Sequence, residues 1–129
     1  MKYVYPAVFY RAIEGGYCID FPDVSGAATQ AETLYEALEM AEDALAGMLT
    51  MYEDFKAGTL TDLNGNKLEI KNRVVEPTPI EQVKAEPDEY STSAFVTLIK
   101  ADTDAYRKML AEMQKAKSEK SATASKGAA

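Results

Sequence analysis

Residues 33 to 58 constrain this chain most. Thr33-Leu34-Tyr35-Glu36 forms a capping box, in which the Thr33 side chain accepts from the first turn's amides and Glu36 reaches back to the amide of Thr33. Leu34, Leu38, Ala41, Leu45, Met48, Leu49 and Tyr52 then recur at steps of three and four, and Gly58 supplies the left-handed residue on which helices end. The spacing predicts one long helix with a single apolar stripe. A stripe of that length has to lie on something, and a β-sheet is the surface the rest of the chain offers.

From Lys2 to Ala12 the row KYVYPAVFYRA is rich in Tyr, Val and Phe and shows no helical face, so it reads as a strand. Pro6 has no N–H to give a ladder, which predicts a sheet edge or a bulge at that point. Glu14-Gly15-Gly16 provides a tight turn, and Tyr17, Ile19 and Phe21 alternate with Cys18 and Asp20 in a returning antiparallel strand. Pro22-Asp23 breaks it, and Ala27 to Ala31 is expected as a third strand. Beyond Gly58, Asn64-Gly65 between leucines predicts a small hairpin, while Pro77, Pro79 and Pro87 predict that residues 59 to 93 form an irregular connector. Ala94 to Lys100 reads as a further strand. Asp102-Thr103-Asp104 opens a short helix carrying Tyr106, Met109, Leu110 and Met113 on one face. The expected fold is α+β, a small antiparallel sheet of three to four strands with one long helix packed on it and a short C-terminal helix. Residues 1 to 113 form the domain, and 114 to 129 a disordered basic tail.

Net charge is −7 over 129 residues, and the tail, with four Lys and one Glu, carries +3, leaving −10 on residues 1 to 113 (−7 less +3). Such a field repels nucleic acid and attracts basic partners. Glu32, Glu36, Glu39, Glu42 and Asp43 follow one another with no Lys or Arg among them. Exposed helices ordinarily interleave signs to gain i,i+4 pairs, so this run reads either as a solvated face or as a surface that a basic partner neutralises. No apolar run is long enough for a membrane span and no secretory signal is evident, which predicts a cytoplasmic protein. The single Cys18 is expected to be a buried thiol within its strand.

The chain has no histidine, which removes Ser-His and Cys-His catalysis, and one cysteine builds no thiolate zinc site. Asp20, Asp23, Glu32 and Glu36 are the acids near enough in sequence to hold magnesium. Each has a plainer role, in a polar face, in a turn or at a helix cap, and no metal or other cofactor is expected. Gly15-Gly16 closes a hairpin and opens no helix, so it is not a phosphate loop.

The row from Tyr5 to Leu45, with its aromatic strand, Glu-Gly-Gly-Tyr turn, Phe-Pro-Asp break, Thr-Gln and Thr-Leu-x-Glu-Ala helix start, resembles the N-terminal signature of HicB-like antitoxins. AFVTLIKADTDAYRKML resembles the family's last strand and following helix. The resemblance implies a partial ribonuclease-H-like fold lacking catalytic acids, and a non-enzymatic antidote that covers a small, basic, RNA-cleaving toxin of the HicA type. Many members add a ribbon-helix-helix or helix-turn-helix module. Too few residues follow Asp102 for one here, so specific DNA binding by this chain is not expected.

The leading expectation is therefore an antitoxin, not an enzyme, whose partner-binding residues are Tyr17, Asp20, Asp23, Glu32, Glu36 and Glu39. Tyr17 has a competing reading as core packing. The alternatives are an orphan oligomerisation or adaptor domain and, third, a magnesium-dependent nuclease. A homodimer or higher homo-oligomer is expected from exposed apolar positions such as Tyr106, Met109 and Met113.

Overall fold

Two glycines set the first hairpin. Gly15 and Gly16 take φ of 101° and 78°, and a Cβ on Gly16 would stand 2.8 Å from the Ala31 carbonyl oxygen, so no larger residue fits between the turn and the third strand. In the computed structural model, which describes residues 1–127 and the side chains as far as residue 119, this turn joins β1 (Lys2–Ala12) to β2 (Tyr17–Asp20). The remaining elements are β3 (Thr29–Ala31), α1 (Leu34–Ala57), a 3-10 turn (Ile80–Gln82), β4 (Ser91–Asp102) and α2 (Thr103–Gly127). The sheet is antiparallel throughout in the order β3-β2-β1-β4. The α+β layout expected from the sequence is the one observed.

Pro6 corrects one expectation. It sits in a central strand, opposite Leu98, and the register shift in the β1–β4 ladder falls at Arg11 and Ala12. β2 pairs only with Val8 to Arg11, so at Pro6 the strand has a ladder on one side alone and its missing N–H need interrupt nothing. The third strand is shorter than Ala27 to Ala31, beginning at Thr29.

α1 keeps the Thr33 half of the expected box and its Gly58 end: Thr33 Oγ1 accepts the Glu36 N–H at 3.2 Å and Gly58 takes φ of 73°, while among the described residues the Glu36 carboxylate makes no return bond to the Thr33 amide. Ala41, Leu45, Met48 and Leu49 of the expected stripe face the sheet, but its first turn does not: Leu34 and Leu38 are exposed, and Ala37 is buried in their place. Alanines at the front of that face let the helix lie close on Tyr5, Ala7, Phe9, Ile19 and Phe21, which share its core. Burial of side chains such as Phe9 and Leu45 stabilises the layer by roughly 1.5–3 kcal/mol each.

The connector is irregular but anchored. Asn64-Gly65 turns a minimal hairpin with one bridge, Thr61 to Lys67, and the Asp62 carboxylate accepts the Asn64 and Asn66 N–H groups at 2.8 and 2.9 Å. Farther on, Val74 bridges to Val24, and the Val75 carbonyl accepts from the Tyr5 hydroxyl at 2.8 Å. The chain then passes from Asp23, beside β2, to the 3-10 turn against β4. Pro6 and Val8, which alternate onto the face of β1 away from α1, are buried.

α2 is longer than the short helix expected. Its backbone stays helical to Gly127, through most of the segment read as a disordered tail; residues 128 and 129 lie outside the described residues. Ala, Glu, Lys and Gln dominate residues 111 to 119 and all favour helix, which explains continuation beyond the last apolar residue, Met113. Gly47 of α1 makes room for its first turns: a Cβ there would lie 3.1 Å from the Tyr106 hydroxyl.

Candidate functional site: an acidic cleft

Three carboxylates share the entrance of α1. Glu32 leaves β3, Glu36 occupies the first helical turn, and Glu39 follows three residues later, which places it on the same side of the helix. Across from them the β1–β2 turn brings Glu14, Gly15, Gly16 and Tyr17. Together with Gln30, Ala31 and Met40 they line an open cleft of about 690 Å³ that contains no basic side chain. Tyr17 is half-buried against the core and also lines the cleft.

The other two acids singled out in the sequence lie elsewhere. Asp20 projects from β2 on the face away from α1, beside Tyr10. Tyr10 has a raised pKa, owing first to burial and then to the charges of Asp20 and Asp88. Asp23 is 5% exposed, and its two oxygens accept from the Thr78 N–H at 2.8 Å and the Thr78 hydroxyl at 2.7 Å. That carboxylate holds the connector. The magnesium set of Asp20, Asp23, Glu32 and Glu36 is thus spread over two faces of the sheet and an occupied anchor, and among the described residues no cluster of three metal-ligating side chains occurs. Cys18 also corrects its expectation: strand alternation puts it outward, and it is exposed.

A second groove, missed in the sequence, continues the first. Glu39 and Met40 line both, and Glu42, Asp43, Ala46, Asp102, Ala105, Tyr106 and Met109 complete a space of about 490 Å³ between α1 and α2. Tyr106 and Met109 were read in the sequence as apolar positions for a second copy, and only the packing of α2 against α1 places them beside the acids. That packing is fixed at the far end of the groove by Glu53, whose carboxylate accepts from Tyr3 at 2.6 Å, Thr103 at 2.9 Å and Arg107 at 3.1 Å. Arg107 also pairs with Asp54 at 2.9 Å. Burial works to raise the Glu53 pKa, and the three donors outweigh it, leaving the group below its ordinary value.

No family model matches the chain. It is 48% identical over 48 residues to Antitoxin HicB 1 of Photorhabdus laumondii, a match covering 37% of this chain and 31% of that relative. Antitoxin HicB of Escherichia coli K12 is 46% identical over 48 residues, covering 37% of this chain and 35% of the relative. Over those 48 residues the chain is similar to HicB antitoxins. The match spans about a third of the length of these curated relatives. A chain of a toxin-antitoxin complex from Streptococcus pneumoniae has the same fold as this chain, with a TM-score of 0.55 and 20% identity, over 82% of this chain and 73% of that one. The fold that carries the cleft and groove is thus shared with that chain. Among the described residues no helix is long and apolar enough to cross a membrane.

Proposed function

We propose that this chain is the antitoxin of a toxin-antitoxin pair and neutralises a small, basic, RNA-cleaving toxin of the HicA type by covering its RNA-binding face. The observation that carries the reading is the open acidic cleft on the HicB-like scaffold, where Glu32, Glu36 and Glu39 stand beside Tyr17 without a basic neighbour. A protein that binds RNA presents cations spaced for phosphates. Carboxylates held on one face of a helix offer those cations an alternative partner, and complementary potentials accelerate the encounter. Like charges at this spacing each cost α1 a few tenths of a kcal/mol, a cost that a bound basic surface reverses.

Occlusion requires no chemistry from the antitoxin. Tyr17 and Met40 add apolar area at the floor, where an aromatic residue contributes most to an interface. The test is co-expression with the product of the gene next to this chain's own. Rescued growth and a complex that survives purification are expected. A toxic neighbour that this chain neither binds nor relieves would contradict the proposal.

A further inference from the structure

β4 is a long strand with one side open. Its twelve residues pair with β1 along almost their whole length, and no strand of the described residues pairs with the other side. Sheet edges in monomers are normally blunted by short strands, prolines or charges. The opposite edge follows that rule, since β3 has three residues and is followed at once by Glu32. β4 does not: Ser91 to Ile99 contains neither a charge nor a proline, and Phe95 and Leu98 are 39% and 52% exposed along it.

We infer that β4 pairs edge to edge with β4 of a second copy, joining two sheets into one of eight strands. Charge selects the occupant. A chain at −7 repels itself over most of its surface and approaches itself most readily at a neutral stretch, which Ser91 to Ile99 provides. A basic partner gains nothing from a neutral edge and is drawn to the acids of the cleft. The strand is also self-complementary. In an antiparallel pairing about a two-fold at Thr97, Leu98 faces the second copy's Val96, Phe95 its Ile99, and Lys100 its Ala94, so no like charges meet and parity keeps both copies of α1 on one face. The cleft of Glu32, Glu36 and Glu39, entered from the β3 side of each sheet, stays at the outer ends of the assembly.

The test uses the full chain without any toxin. Sedimentation should show a particle of two chains. In a Cys18→Ser background, Thr97→Cys should form a disulfide-linked dimer on mild oxidation, whereas Cys at Thr92, near the strand end, should not. Leu98→Lys, at an exposed position that leaves folding intact, should weaken the dimer at least tenfold, and mixing it with Leu98→Asp should restore a two-chain particle. A monomer at all concentrations, or a dimer indifferent to both Leu98 substitutions with no Thr97→Cys cross-link, would overturn the inference.

Discussion

The Tyr3 hydroxyl donates to Glu53 at 2.6 Å, and this bond ties the first strand of the sheet to the last turns of the long helix. The same carboxylate receives Thr103 and Arg107, so one acid joins β1, α1 and α2. The Tyr3 phenol is raised above its ordinary range, first by burial and then by its bond to Glu53. The Glu53 pKa is depressed in the folded chain, so its contribution is complete above the ordinary value of 4.5 and is lost as pH falls through the lower folded value. Glu53→Gln should cost about 1–2 kcal/mol at pH 7, since the group is one-fifth exposed and keeps part of its bonding. Urea melts at pH 7 and pH 3 measure this, and the gap between variant and wild type should shrink at the lower pH.

Asp23→Ala should release the connector. It removes two short bonds from Thr78, each to a charged acceptor, and should cost roughly 2–4 kcal/mol if the segment stays ordered and less if it detaches. Amide exchange at Thr78 and Val75 should accelerate far more than exchange in β1. Uniform acceleration would mean that the connector and the sheet unfold together.

Thr33→Ala should lower stability by about 1 kcal/mol, because the Glu36 amide loses its only cap while no core contact changes. Thr33→Asp should retain the stability. Thermal melts of the three proteins decide this.

Gly47→Leu should lever α2 away from α1. The space at Gly47 is filled by the Tyr106 hydroxyl 3.1 Å from where a Cβ would stand, and a leucine has to displace that ring. Destabilisation of about 1–3 kcal/mol is expected, with faster exchange over residues 103 to 110. Unchanged exchange there would mean that the ring moves aside at little cost.

Local chemistry explains which parts of this fold were legible. The capping residue Thr33, the terminal Gly58 and the Gly15-Gly16 turn act within a few residues of themselves, and each appears where the sequence places it. Only the first turn of α1's face was misread, because Leu34 and Leu38 fit the helical period as well as Ala37 does. Only contact with Phe9 and Ile19 selects the alanines, whose small size brings the helix closer. Cys18 was read by its apolar neighbours although alternation with Ile19 turns it outward. The anchoring of the connector rests on Asp23 with Thr78 and on Tyr5 with Val75, bonds between residues far apart in the chain that no local pattern announces. For the cleft, the acid run drew attention to Glu32, Glu36 and Glu39, but assigning Asp23 a different role required its burial.

The central claim is that the acids of the cleft hold a basic toxin. Its most direct test is the affinity of the toxin for the wild-type chain and for the Glu32→Lys/Glu36→Lys/Glu39→Lys variant, measured at low and high salt, with circular dichroism confirming that the variant folds. All three residues are exposed, so folding should survive. Affinity should fall at least tenfold, equivalent to about 1.4 kcal/mol, and most of its salt dependence should vanish. A folded variant that binds as tightly as wild type, with the same salt dependence, would place the toxin elsewhere and contradict the account.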